Sequence, residues 1–213
     1  MLDPVEQVLA AEIGENCCIG EVFISRTPAG GFILCHRDDE PKTVAEVFHG
    51  AEAAAEIAKH DDAGNYRPLK TAPTLRHGWR LEVVDLGELR HALDYLYPGR
   101  AAMLAAWKRT RLAPPPLRAT LDRQSGMYRV AAKISDKQID EVVWSFCRSD
   151  GGCLRTILWR RDGTGAPAST KLPPQKFDPS HDQTGRGERA IPLLCQEICH
   201  LLVNECRKVV KGE

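Results

Sequence analysis

Apolar residues recur along the chain in two registers, every three to four positions and every second position, and the switches between them outline its elements. Pro4 suits the first turn of a helix, with Val5, Val8, Leu9 and Ile13 at helical spacing and Gly14 at its end. Glu21 to Ser25 and Phe32 to His36 read as strands, joined by Thr27-Pro28-Ala29-Gly30-Gly31, the turn residues of a hairpin. Thr43 with Glu46 three residues on forms a capping box. It predicts a helix with Val44, Val47, Phe48, Ala51, Ala55 and Ala58 as its apolar stripe, lying on the hairpin's sheet. A polar segment from His60 to Pro73 predicts a loop, followed by the apolar run Trp79 to Leu86. Asp85 caps a helix carrying Leu89, Leu93, Leu96 and Tyr97, Pro98-Gly99 breaks it, and a further helix over Ala101 to Arg111 sets Met103, Leu104 and Trp107 on one side.

Pro114-Pro115-Pro116 favours a stiff extended connector that no helix can continue through. The expected organisation is an α+β domain over residues 1–112, a proline-rich linker at 113–116 and a second domain over 117–213. In the second half Leu117 to Gln124 reads as a short helix ended by Gly126, and Met127 to Ile134 as a strand. Ser135 and Gln138 make another capping box, opening a helix through Ile139, Val142, Val143 and Phe146 that delivers the chain to Cys147. Leu154 to Trp159 is a strand candidate, and Arg160 to Glu188 is a Gly- and Pro-rich loop, a lid or a disordered stretch. A last helix runs to Val210 with Leu194, Ile198, Leu201, Leu202 and Val209 interleaving with cysteines. The fold class is therefore α+β, a small N-terminal hairpin-and-helix domain followed by a mainly helical one.

Composition narrows the function classes. Lysine plus arginine equals aspartate plus glutamate, 29 each, so no global field argues for nucleic acid or an anionic membrane. The opening Met1-Leu2-Asp3-Pro4-Val5-Glu6 lacks the basic region of a secretory signal, and no apolar run approaches the ~20 residues of a membrane span. A cytoplasmic location is expected, where the eight cysteines are poor candidates for structural disulfides and gain weight as metal, cluster or redox groups. Neither a nucleophilic triad nor a phosphate-binding glycine loop is present, and no catalytic residue is singled out. The seven histidines are scattered, with no convincing pair.

Four of the cysteines fall into two pairs, Cys147 with Cys153 around a loop of five residues and Cys195 with Cys199 around three, with 41 residues between the pairs. Read as part of the last helix, Cys195 and Cys199 share one face, a turn apart. Two thiolates from a loop and two from a helix are a ligand set for a cubane [4Fe–4S] cluster. Tetrahedral zinc is the alternative, although its cysteine pairs usually come from tighter knuckles. Cys206 is a spare ligand or a core thiol, Cys17 and Cys18 are a vicinal redox pair or two ordinary thiols, and Cys35 fills core. Arg123, Arg129, Arg148 and Arg155 would donate to cluster sulfur or bind tetrapyrrole carboxylates, or are simply surface charge. Gly151 and Gly152 offer backbone N–H groups close to sulfur in a tightly bent loop.

The five-gap and three-gap pairs are similar in spacing to the cluster ligands of siroheme-containing sulfite and nitrite reductases. The surrounding residues carry a closer resemblance. Arg123-Gln124-Ser125-Gly126-Met127-Tyr128, then Cys153-Leu154-Arg155 running to Trp159, then Ile191-Pro192-Leu193-Leu194-Cys195 and Cys199 resemble the iron–sulfur region of long sirohydrochlorin cobaltochelatase-like proteins of bacteria. Asp61-Asp62-Ala63-Gly64-Asn65-Tyr66-Arg67-Pro68-Leu69 and Ala72-Pro73-Thr74-Leu75-Arg76 resemble the stabilising segment beside that region. The resemblance implies a [4Fe–4S] carrier with ligands Cys147, Cys153, Cys195 and Cys199, without the α/β chelatase domain. It also implies a role beside a separate chelatase polypeptide or an electron donor, in tetrapyrrole metabolism leading to cobalamin or siroheme, with a tetrapyrrole as ligand. The alternative is a non-catalytic structural or interaction module, stapled by a cluster or by zinc.

Overall fold

The computed structural model describes residues 2–39, 45–61, 63–66, 74–109, 117–146, 156–157, 190–191, 193–195 and 199–213. They form two compact units, Met1–Leu112 with Ser180–Leu193, and Ala113–Pro179 with Leu194–Glu213. The linker prolines and the 160–188 loop lie outside the described residues. Among those described, no helix is long and apolar enough to cross a membrane.

The first unit opens with α1 (Pro4–Glu12). Asp3 accepts the N–H groups of Val5 and Glu6 while the Glu6 carboxylate accepts the Asp3 N–H, a reciprocal cap that satisfies donors a helix start leaves open. A six-stranded mixed sheet follows, built from β1 (Asn16–Ile19), β2 (Val22–Arg26), β3 (Phe32–His36), β4 (Glu46–His49), β5 (Trp79–Val83) and β7 (Ala190–Ile191). Its order is β4-β5-β3-β2-β1-β7. The three inner antiparallel contacts stack alternate residues on one face: Ile24 opposite Leu34, Leu34 opposite Leu81, Phe32 opposite Val83, all buried. This period-2 burial is what a half-covered sheet requires.

The expected hairpin is present as β2 and β3, and α3 (Leu86–Leu96) starts at Asp85, whose carboxylate accepts the Glu88 N–H. Helix α4 (Arg100–Lys108) packs with α1 and α3. Tyr97, at the end of α3, is tied to the sheet, its hydroxyl accepting the N–H of Glu21 at 2.9 Å. Gly20 makes that approach possible: its φ is +57°, and a Cβ there would stand 2.5 Å from a Leu193 methyl and 2.8 Å from the Tyr97 hydroxyl oxygen.

Three elements of this unit depart from the sequence reading. Cys17 and Cys18 lie buried in β1, a strand not anticipated, and remain thiols. The helix expected over this stretch is not what Glu46–His49 form: they are the edge strand β4, paired parallel with β5, and Thr43 and Val44 lie outside the described residues. Sheet pairing overrides the helical spacing of Val47 and Phe48, and Gly50 at φ +79° turns the chain into a short 3-10 turn (Ala51–Ala53) and α2 (Ala54–Ile57). The return of residues 190–191 to pair with β1 is a long-range contact with no local signal.

The second unit contains α5 (Leu117–Asp122), a 3-10 helix (Gly126–Lys133), α6 (Asp136–Phe146), the short parallel pair β6 (Thr156–Ile157) and β8 (Leu194–Cys195), and α7 (His200–Lys211). The Ser135–Gln138 capping box forms as expected, Gln138 N–H donating to the serine hydroxyl oxygen and Ser135 N–H donating to the Gln138 side-chain oxygen. Met127 to Ile134 is not a strand. Ala131 and the following Ile134, three apart, both bury in one core, a spacing that a helix of three residues per turn satisfies and an alternating strand does not. β6 falls within the expected strand at 154–159, whereas α7 starts only at His200.

Candidate metal centre

The core of the second unit gathers Leu121 from α5, Ala131 from the 3-10 helix, Ile139, Val142 and Val143 from α6, and Leu202, Val203 and Cys206 from α7. Cys195 belongs to this core, only 3% exposed, because β8 pairs with β6 and sets Ile157 opposite Cys195. Cys199 packs partly buried against the same core. It is the N-cap of α7, with an extended backbone (φ −79°, ψ 163°), and its Sγ accepts the N–H of Leu202 at 3.5 Å. That sulfur thus sits at the start of a twelve-residue helix, where backbone N–H groups are left without intrahelical partners. Two soft sulfur donors held in apolar surroundings, one of them accepting a backbone N–H, suit the ligands of an iron–sulfur cluster, whose sulfurs carry negative charge and are tuned by such bonds.

Cys195 and Cys199 therefore do not share a helix face. One ends a strand and the other caps a helix, and they meet at one core because β8 and α7 both start from it. Helical spacing of the pair was a coincidence of a short connection. Cys147, Cys153, Arg148, Gly151, Gly152 and Arg155 lie outside the described residues. Phe146, the last residue of α6 and the neighbour of Cys147 in sequence, packs against the same core. Arg123 is exposed just past α5, and Arg129 is exposed on the 3-10 helix, so neither is buried with the two sulfurs.

Cys206 is fully buried, and burial, aided by the nearby Glu205 carboxylate, pushes its thiol up to about 11. Without a metal it is a protonated core group at neutral pH. Cys206→Ala is expected to leave iron and sulfide content at the wild-type level while lowering the thermal midpoint by a few degrees for the small cavity it opens. Iron and sulfide assays beside a melting curve check both halves of that statement; loss of half or more of the iron would make Cys206 a ligand. Cys35, on β3, is only partly buried, so it fills core less completely than expected.

Comparison with known proteins gives two family matches and similarity to a solved structure. Residues 6–111 match the DR2241 stabilising domain, and residues 109–208 match a 4Fe-4S iron–sulfur cluster binding domain. Among solved structures the chain is similar to DR2241 from Deinococcus radiodurans, described as a multi-domain protein with structural similarity to chelatases and two additional novel domains. The TM-score is 0.69 and the identity 26%, over 99% of this chain. The chain spans 42% of the length of that protein. No curated protein matches. The resemblance read from the motifs is thus borne out, the stabilising segment and the iron–sulfur region each matching its own family, and the second family is one that binds a [4Fe–4S] cluster, which gives zinc at these cysteines no support.

Proposed function

From a chain that joins a DR2241 stabilising domain to a [4Fe–4S] cluster-binding domain, we propose an auxiliary redox protein of tetrapyrrole metal chelation, its cluster held by Cys147, Cys153, Cys195 and Cys199. The observation that carries this reading is the placement of Cys195 and Cys199 at one apolar core from two different elements, with the Leu202 N–H directed at the Cys199 sulfur. Burial in apolar surroundings and an N–H donor to sulfur are two of the levers that set a cluster's potential. When bound, the cluster supplies one-electron chemistry; the protein's part is to exclude water from it and to balance its charge.

The partner is a chelatase polypeptide or an electron donor, and the substrate context is a sirohydrochlorin-type tetrapyrrole on the way to cobalamin or siroheme. The similarity to DR2241, itself described as chelatase-like, supports that context. Arg123, Arg148 and Arg155, with the N–H groups of Gly151 and Gly152, are the groups that would meet cluster sulfur or tetrapyrrole carboxylates. A second reading, in which the cluster chiefly staples the C-terminal unit, is favoured by the fact that the two described candidate ligands lie at one apolar core of that unit, Cys195 within it and Cys199 packed against it.

Anaerobic purification is expected to yield a brown protein with about four irons and four sulfides per chain. Reduction should then give a paramagnetic signal without change in far-ultraviolet circular dichroism. A colourless protein carrying stoichiometric zinc would sink both readings. A cluster that no reductant reaches while the fold persists would leave the staple and remove the redox role.

A further inference from the structure

A second group of metal-ligating side chains stands in the first unit, far in sequence from the four cysteines. His36 is the last residue of β3, Asp39 follows in the next turn, and His77 precedes β5. Antiparallel pairing of β3 with β5, in which Cys35 faces Arg80, brings the chain around His36 beside the chain around His77. The imidazole rings lie 3.9 Å apart between centroids, tilted by 48°. His77 Nδ1 is 2.9 Å from Asp39 Oδ1. One ring nitrogen of each histidine and one Asp39 oxygen all lie within 4.8 Å of one another.

The surroundings hold this group in place. The other Asp39 oxygen accepts the N–H of Gly78 at 2.9 Å, which pins the segment carrying His77. Glu21, itself buried, accepts the N–H of Leu75 at 2.6 Å and stands 3.9 Å from His36 Nε2. The Asp38 N–H donates to His36 Nδ1 at 3.2 Å, so an ion taken by that nitrogen would replace this hydrogen bond. A carboxylate near the far nitrogen of a histidine favours it as a metal ligand, and at 3.9 Å Glu21 acts on His36 by charge rather than by a hydrogen bond. His36 is 3% exposed and the Asp39 carboxylate is largely buried, whereas His77 opens to the surface, so the group has a fixed floor and one accessible ligand at its mouth.

We propose that His36, Asp39 and His77 bind a divalent first-row transition ion of the zinc class, separate from the iron–sulfur cluster. Two imidazole nitrogens and one carboxylate are borderline donors that select such ions over calcium or magnesium, which prefer all-oxygen sets, and three protein ligands leave a coordination position for water or an exogenous group. The pair was invisible in the sequence because His36 and His77 are separated by β4 and α2 and meet only through strand register.

The test is calorimetric titration of the full chain with Zn²⁺, carried out anaerobically with the cluster in place so that its thiolates are occupied. One equivalent is expected to bind. His77→Ala, at a half-exposed side chain, should weaken that binding roughly 100-fold. Asp39→Asn, which keeps an oxygen for the Gly78 N–H, should weaken it as well, while His49→Ala, at an exposed histidine outside the group, should not. Zn²⁺ that does not bind, or binds equally to the His77→Ala and Asp39→Asn proteins, overturns the proposal.

Discussion

Cys195→Ser is expected to strip the protein of its cluster, with iron and sulfide falling from about four each per chain to background and the brown colour lost. Cys195 sits 3% exposed among leucine, isoleucine and valine side chains. A serine hydroxyl is a hard donor that stays protonated near neutral pH, so it replaces a thiolate poorly, and the apolar surroundings cannot compensate a missing ligand. The same substitution sets a hydroxyl in a core built around sulfur, at a cost of about 1–3 kcal/mol. Together these effects should lower the melting point of the C-terminal unit well beyond what Cys206→Ala does. Full iron retained in the Cys195→Ser protein would remove this residue from the ligand set, and the proposed function with it.

The largest effect on the first unit is expected from Trp79→Ala. Trp79 is fully buried on β5, between the partners β4 and β3, and its indole N–H donates to the Arg76 carbonyl at 2.7 Å. Truncating a buried tryptophan costs about 3–5 kcal/mol, and the orphaned carbonyl adds about 1 kcal/mol. Against a total stability of roughly 5–15 kcal/mol for a domain, that brings the unit close to unfolding. Urea denaturation should show the transition of this unit moved to much lower concentration with little change in slope. Because Trp79 anchors the strand that follows His77, Zn²⁺ binding at His36, Asp39 and His77 should weaken in parallel. A midpoint indistinguishable from wild type would mean that the indole is not the keystone its burial indicates.

Elements whose signals are local were legible. Pro4 with the spacing of Val5, Val8 and Leu9 announces α1, Ser135 with Gln138 announces α6, and the glycine-rich turn at 27–31 announces the hairpin, because a cap or a turn is decided by residues three or four apart. The family resemblance and its cluster were legible too, since they rest on residue identity and spacing. What was misread shares one feature. β4 carries helical spacing but is claimed by an edge of the sheet, the 127–134 segment alternates like a strand but buries residues three apart, and the Cys195–Cys199 interval mimics a helix turn across a strand-to-helix junction. In each case a partner distant in sequence outbid a weak local preference.

The sequence by itself determined which sulfurs are candidates for a cluster, the class of the fold and the starts of α3 and α6. Only the tertiary structure decided that Cys195 and Cys199 reach one core from different elements, that Cys206 is sealed inside it, and that His36 and His77 stand side by side. The physical reason is range: capping, turn chemistry and ligand identity are properties of a few neighbouring residues, whereas strand register and burial are settled by contacts between segments far apart along the chain.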